Sequence, residues 1–524
     1  MYHLNSLNLM LLIAIWLAGH LPNQVSAEDE LARSPNVVFF LVDDLGWRDV
    51  GCYGSSFYDT PQIDRLASQG VRFTDAYAAC HVCSPTRASI LTGKYPARLQ
   101  LTDWLPGRKE FDFQLLENAD IHQQLPFAET TLAEYLKKQG YATAIFGKWH
   151  LGEEPSGPLR HGFDVQVPKW NKGWPRSGYF APFRLDGISD EPGDYLTDRL
   201  TDEAIKFIDQ NRERPFFLYL SHFAVHDPIH GRADLVEEYQ KKLSSLPRPQ
   251  RPSFVLEGNP DSKNSLSRSE LDELIGQPSH QGFEVLPQQT VKIKQHQDNV
   301  QFAAMVQAMD ESLGRVLAKL KSLDLDDNTI VIFFSDNGGM SAGNFGNPKR
   351  VVPRSRLDAA YSTSNLPLRG GKGWLYEGGI RVPLIVKWPG NSKPGTVCTT
   401  PVISTDFYPS ILEMSKLPEL PSQHVDGKSF VAALKSEPFE RGAIYWHFPH
   451  YSNHGMQSPG GAIRLGDFKL LEYFENGTVQ LFNLEDDPSE QHDLAEAMSA
   501  KAAELRDLLH EWRKDVSAKM MARK

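Results

Sequence analysis

Thr329-Ile330-Val331-Ile332-Phe333-Phe334-Ser335, followed by Asp336-Asn337-Gly338-Gly339, is the strongest strand signal in the chain. An unbroken run of β-branched and aromatic residues suits a strand buried on both faces, and such strands belong to parallel sheets covered by helices. The run stops abruptly in an acid and an amide. Asn36-Val37-Val38-Phe39-Phe40-Leu41-Val42 has the same build and also ends in acids, Asp43-Asp44. Adjacent carboxylates at the end of a buried strand repel each other and cost desolvation unless a cation compensates, although such a pair alone also fits a solvated turn. Oxygen donors at the ends of two buried strands are suited to converge on a hard divalent cation.

Between and beyond these strands, helix and strand patterns alternate. Thr131-Leu132-Ala133-Glu134 is a capping-box pattern that starts a helix ending at Gly140. The strand over 141–146 delivers Gly147-Lys148-Trp149-His150-Leu151-Gly152, a lysine and a histidine between glycines. The strand over 216–221 leads to His222-Phe223-Ala224-Val225-His226-Asp227-Pro228, in which His226 is the better candidate for a partly exposed functional imidazole. Phe302, Val306, Met309, Leu313, Val316, Leu317 and Leu320 line one stripe of a long helix. Leu368-Arg369-Gly370-Gly371-Lys372-Gly373 brings glycines that permit close approach to an anion, with Lys372 adding charge before a strand over 382–388.

This alternation predicts an α/β fold: a large, mostly parallel central sheet with helices on both faces up to about residue 415. The rest, residues 416–524, reads as a smaller subdomain of short antiparallel strands with a helix over 489–514. Residues 232–296 turn polar and proline-rich, which predicts an insertion over the surface. No internal repeat is present.

With 524 residues, 40% of them hydrophobic, the chain can bury a large core, and its net charge of -11 argues against a nucleic-acid binder. An anionic substrate then needs a local cationic pocket. Residues 9–18 form a short apolar core, and Val25-Ser26-Ala27 resembles a cleavage site, so residues 1–27 read as a signal peptide and the protein as exported, periplasmic or extracellular. No Lys or Arg precedes the apolar core, and an uncleaved anchor is the other reading. That run is too short to span a bilayer comfortably, and no later stretch does better. The four cysteines do not make a disulfide framework; should Cys83 be modified, Cys52, Cys80 and Cys398 leave room for at most one pair, and which pair stays open.

Cys83-Ser84-Pro85-Thr86-Arg87 follows Cys80-His81-Val82 and runs into Leu91-Thr92-Gly93. Pro85 suits the first turn of a helix and Gly93 its end, which places Cys83 at a helix N-terminus with Arg87 one turn on, an arrangement that favours an anion. Two other readings stand beside it: a buried structural thiol with a surface arginine, and a Cys80-x-x-Cys83 redox pair or half zinc site that lacks a second pair of ligands.

Taken together and in this order, Asp43-Asp44, Cys83-x-Pro85-x-Arg87, Lys148, His150, His226, Asp336-Asn337 and Lys372 resemble the motifs of type I sulfatases of the alkaline-phosphatase superfamily, over nearly the whole chain after the signal. The resemblance implies that Asp43, Asp44, Asp336, Asn337 and the modified Cys83 bind one calcium ion. It implies that Cys83 is converted to formylglycine by a formylglycine-generating enzyme, with Pro85 and Arg87 completing the recognition motif. Arg87, Lys148, His150, His226 and Lys372 match the residues around the sulfate. In the implied mechanism a hydrated aldehyde attacks sulfur, His226 protonates the leaving alcohol with Lys372 assisting, and His150 takes a proton as sulfate leaves. Lys169-Trp170-Asn171-Lys172-Gly173-Trp174-Pro175-Arg176 interleaves cations with indoles and fits a sugar-stacking segment and an ordinary surface loop equally well; its resemblance to segments of bacterial carbohydrate sulfatases implies a sulfated saccharide as partner, and the segments 445–451 and 161–164 also reach toward the pocket in this reading. The alternatives are a related formylglycine-type phosphodiesterase or phosphonate hydrolase, and a catalytically silent sulfated-glycan-binding protein. The sugar, the sulfate position and the oligomeric state stay open.

Overall fold

The computed structural model describes residues 34–110, 114–347 and 349–524, so the expected signal segment lies outside the described residues. The central sheet contains β1 (Asn36–Val42), β2 (Val71–Phe73), β3 (Ala142–Gly147), β4 (Val165–Val167), β5 (Phe216–Ser221), β6 (Thr329–Ser335), β7 (Leu384–Lys387) and β8 (Thr396–Cys398). Their order across the sheet is β8-β2-β7-β6-β1-β5-β3-β4. The pairings are parallel except for those of β7, which runs against both β6 and β2.

Alternate residues of β1 explain why its whole run is apolar. Val38, Phe40 and Val42 join a cluster with Ile63, Leu200, Leu235, Phe302 and Met309, contributed by α1 (Pro61–Gln69), α4 (Leu196–Gln210), α5 (Ala233–Ser245) and α6 (Val300–Ser322). Val37, Phe39 and Leu41 pack on the other face with Ile90, Leu91, Leu132, Phe407 and Ile411 from α2 (Cys83–Thr92), α3 (Leu132–Lys138) and α7 (Phe407–Met414). Each such large side chain contributes about 1.5–3 kcal/mol by leaving water. The capping box at α3 forms as its sequence implies, with Thr131 and Glu134 exchanging bonds.

The sequence reading of 232–296 needs revision. The polar composition conceals α5, whose Leu235, Val236 and Tyr239 are buried in the helical layer, and a hairpin of Phe254–Glu257 with Val291–Lys294. The first part of the segment is therefore structural rather than draped over the surface.

A second, antiparallel sheet comprises β9 (Ile444–Phe448), β10 (Gly460–Leu465), β11 (Phe468–Tyr473) and β12 (Val479–Asn483). Leu505, Leu509 and Trp512 of α8 (Ser499–Asp515) pack on it with Ile463, Leu470 and Leu481. The helix starts later than the 489 expected from sequence, because the stretch before it serves another purpose. Glu490 is fully buried 2.8 Å from Lys469, which also lies 2.9 Å from Glu377 of the first sheet's domain. Among the described residues no helix is long and apolar enough to cross a membrane.

Candidate active site

Sheet register builds the site. β1 and β6 pair in parallel up to Val42 opposite Ser335, so Asp43-Asp44 and Asp336-Asn337 emerge side by side. Asp44 N–H donates to Asp336 Oδ1 at 3.2 Å, and Asn337 Nδ2 donates to Asp44 Oδ1 at 2.7 Å. The loop after β5 is stitched to the same place, since Asp43 N–H donates to Ala224 O and Val225 N–H to Asp43 O. Lys372 arrives on a glycine-rich loop whose backbone N–H donates to Gly339 O at 3.0 Å.

Each carboxylate has its own buried cation. Lys148 Nζ lies 2.6 Å from Asp43 Oδ2, Lys372 Nζ lies 2.7 Å from Asp44 Oδ2, and Arg87 Nε donates to Asp336 Oδ2 at 2.8 Å. Arg87 Nη1 donates to Ser221 Oγ at 2.6 Å and to Lys148 O at 3.1 Å, so this arginine is a fully buried bolt rather than a surface cation. Cys83 opens α2 as expected, and Gly93 closes it in the left-handed conformation at φ 66°. Burial pushes the Cys83 thiol upward against the pull of Lys148 and Lys372, which leaves it a poor thiolate nucleophile.

Burial and the repulsion of Asp336 push Asp43 up to about 6 despite Lys148. Against burial, Lys372, His226 and Lys148 hold Asp44 well below the usual carboxylate range. Two imidazoles complete the array. His226 Nδ1 lies 2.9 Å from Asp227 Oδ1 and 2.7 Å from Asp227 O, which assigns the proton to Nδ1 and leaves Nε2 facing Asp44 Oδ2 at 3.8 Å. Burial and Lys372 lower His226, but Asp44, Asp227 and Asp43 outweigh them and raise it. His150 Nε2 donates to Leu105 O at 2.7 Å, and its Nδ1 is buried without a partner. Burial, then Lys148, lowers His150 well below the ordinary histidine value. Asp44 and His150 both sit at positive φ, 61° and 58°, backbone positions that cost energy unless their surroundings enforce them.

The donor set fits a divalent cation. Asp43 Oδ1 and Asn337 Oδ1 are buried and have no hydrogen-bond partner among the described residues, although a buried polar oxygen normally has one. Ligand oxygens of Asp43, Asp44 and Asp336 lie within 4.8 Å of one another, and Asp43, Cys83 and His226 form a second group within the same limit. Carboxylate and amide oxygens are the ligands a calcium-sized ion takes.

A cavity of about 280 Å³ opens above this floor, lined by Cys83, His150, His226 and Lys372. Lys148, Arg87, Asp43 and Asp336 lie beneath it and do not line it. The wall includes residues that sequence reasoning missed: His454 and Asn453 from the loop between β9 and β10, Asn344, and Trp104. Asn453 and His454 lie just past the aromatic segment 445–451 that the sequence singles out, whereas nothing near Asn344 or Trp104 in the chain signals the site. Of the cation and indole segment, Trp174 reaches the cavity. The segments 445–451 and 161–164 do not line it: Tyr445 stacks on Trp512, His450 bonds Thr102, and His161 is sequestered against Ser156 and Trp149.

Known proteins are similar to this chain over most of its length. The family model described as Sulfatase matches residues 35–417, and one described as N-sulphoglucosamine sulphohydrolase, C-terminal, matches residues 371–517. A sulfatase of Formosa agariphila is 30% identical over 88% of this chain and 84% of its own length. The N-acetylgalactosamine-6-sulfatase of Mus musculus is 30% identical over 79% of this chain and 69% of its own. The crystal structure of Ps i-CgsB in complex with k-i-k-neocarrahexaose superposes with a TM-score of 0.68 at 27% identity, covering 91% of this chain and 92% of that one.

Proposed function

The chain belongs to the sulfatase family and is a sulfuric ester hydrolase; we propose that it cleaves a sulfate ester of a carbohydrate after export, using formylglycine formed from Cys83 and one calcium ion. The observation that carries this reading is the floor of the cavity. Asp43, Asp44 and Asp336 are matched one to one by Lys148, Lys372 and Arg87, so the floor is near neutral as it stands and becomes positive when a divalent ion joins it. A positive, water-poor floor stabilises an anionic ester and the charge that develops as it breaks.

Asp43, Asp44, Asp336 and Asn337 would hold the ion, with position 83 beside them. When present, the aldehyde in its hydrated form would supply a hydroxyl as the nucleophile for sulfur, and calcium would supply neutralising charge. The other residues are arranged for binding and proton transfer. Lys372 lines the cavity and attracts the ester. His226, fixed by Asp227 through Nδ1, turns Nε2 to the cavity as the donor to the leaving alcohol. His150, committed through Nε2 to Leu105, presents an unprotonated Nδ1 as an acceptor. Arg87 and Lys148 hold Asp336 and Asp43 in place. A formylglycine-generating enzyme is the implied maturation partner.

The carbohydrate assignment draws on the relatives acting on N-acetylgalactosamine 6-sulfate and bound to a neocarrahexaose, and on Trp174 at the cavity wall, since indole faces suit sugar rings. The test is the ratio of kcat/KM for 4-nitrophenyl sulfate to that for bis(4-nitrophenyl) phosphate, measured for the parent and for Cys83→Ser. The parent is expected to prefer the sulfate and the variant to lose turnover with its fold intact. Faster phosphodiester cleavage, or an active Cys83→Ser variant, overturns the proposal.

A further inference from the structure

The floor of the cavity deals with the sulfate, and the wall above it has a different character. The loop carrying Asn453 and His454 is locked over the floor. Phe345 N–H donates to Asn453 O at 2.7 Å, Ser452 Oγ donates to His454 O at 3.0 Å, and Asn344 and His454 bridge through their backbones. Gly373, next to Lys372, sits at φ +86°, and a Cβ there would run into Ser452 and His454, so the wall is packed directly on the loop that carries the cation.

Apart from Asp227, which pairs with His226, the wall residues present neutral hydrogen-bonding groups. Asn344 Oδ1 accepts from Gly346 N–H at 3.1 Å and Asn453 Oδ1 accepts from Arg108 Nη1 at 3.3 Å, which leaves each Nδ2 without a hydrogen-bond partner among the described residues. His454 is buried with Nδ1 unpartnered, and burial together with Lys372 keeps its imidazole neutral. Trp104 and Trp174 add aromatic faces. Among the described residues no cation other than Lys372 and His226 lines the cavity, and Lys372 is taken up by Asp44. Arg108, behind Asn453, is neutralised by Asp103, and Lys172 and Arg176 lie over Trp170 without lining the cavity. The volume, about 280 Å³, falls just below the range of small-molecule sites, roughly 300–1,000 Å³, and suits one ring.

We propose that the wall of Asn344, Asn453 and His454 receives one sugar ring whose only anionic group is the sulfate being cleaved, so the substrate is a neutral hexose or N-acetylated hexosamine carrying a single ester in the pocket. This rests on the carbohydrate reading above. A second sulfate or a carboxylate would be buried against amides and a neutral imidazole without a cation, and an unpaired buried charge is strongly disfavoured. Hydroxyl and acetamido groups, which both donate and accept, match the wall.

The test compares kcat/KM of the matured protein on matched pairs: N-acetylgalactosamine 6-sulfate against its 4,6-disulfate, and N-acetylglucosamine 6-sulfate against glucosamine 2-N,6-O-disulfate, with 4-nitrophenyl sulfate as reference. At least a tenfold preference for the singly charged member is expected. His454→Arg, or Asn344→Lys where that variant does not fold, is expected to narrow the preference at least fivefold by placing a cation in the wall. Equal or faster turnover of the disulfated members overturns the inference while leaving the carbohydrate reading intact. Hydrolysis of 4-nitrophenyl sulfate with no turnover of any of the four sugars overturns the carbohydrate reading and this inference with it.

Discussion

Lys469→Met tests how the second sheet is held against the domain that carries Lys372. Lys469 Nζ lies 2.9 Å from Glu377 Oε1 and 2.8 Å from Glu490 Oε1, with all three side chains fully buried. Without the ammonium, Glu377 keeps the Tyr77 hydroxyl at 2.7 Å and Arg381 at 3.4 Å. Among the described residues the Glu490 carboxylate keeps the Glu377 N–H at 2.7 Å and no ion-pair partner, while Arg369 bonds the Glu490 backbone O at 2.9 Å. Burial, with Lys469 opposing it and Glu377 adding to it, already pushes Glu490 up to about 7, and loss of Lys469 pushes it further. A carboxyl raised in the folded state binds its proton there at pH values where the unfolded chain has released it. Stability therefore falls as pH rises from the unfolded value toward the folded one, and the full penalty is felt above it. At about pH 8.5 the variant carries a buried, unpaired carboxylate and should lose about 3–5 kcal/mol. At about pH 5.5 that carboxyl is protonated, and the loss should shrink to about 1–2 kcal/mol, the worth of the missing hydrogen bonds. Equilibrium urea unfolding at both pH values measures this, and Lys469→Met with Glu490→Gln should recover much of the loss at the higher pH. An equal loss at both pH values, or no recovery in the double variant, refutes the reasoning. Because Glu377 follows closely on Lys372, kcat/KM should fall together with stability.

Arg87→Lys keeps the charge but loses the guanidinium fork that joins Asp336, Ser221 Oγ and Lys148 O; about 2–4 kcal/mol of stability should go with it by urea unfolding, and a change within about 0.5 kcal/mol would contradict the bolt described here. Calcium should raise the unfolding temperature of the parent and chelation should lower it, whereas Asn337→Ala, which removes an orphaned ligand oxygen and the bond to Asp44, should cut most of that shift. Burial lowers both His222 and His447 to about 3. Their folded values lie below the unfolded one, so the native state binds fewer protons under about pH 6.5, and the stability they contribute is present above that pH and lost as pH falls, by up to about 1.4 kcal/mol per unit for each group. Urea midpoints should drop from pH 7 to pH 5, and His222→Gln should flatten the drop.

The parts of the site legible in the sequence were those that ride on strong strands. Asp43-Asp44 and Asp336-Asn337 stand out because each interrupts an apolar run, and the in-register pairing of β1 with β6 turns two sequence features into one cluster. Lys148 and His226 follow strands β3 and β5, neighbours in the same sheet, so the parallel α/β reading delivers them to the same edge. His454, Asn453 and Asn344 come from loops whose approach depends on how the second sheet docks, and docking by buried ion pairs leaves no periodic trace. The antiparallel course of β7 was likewise not legible, since a strand buried on both faces carries the same pattern in either direction. α5 was missed for another reason: Leu235, Val236 and Tyr239 make a narrow stripe in a polar stretch, enough to bury a helix against α6 but too little to alter the composition.

The most direct test of the central claim, that position 83 works only after it ceases to be a cysteine, is mass spectrometry of the intact peptide spanning Cys83, from protein made in its native host and fractionated by specific activity. The aldehyde is predicted at that position, in proportion to turnover of 4-nitrophenyl sulfate across the fractions. Full activity in fractions whose peptide carries an unmodified thiol would contradict it.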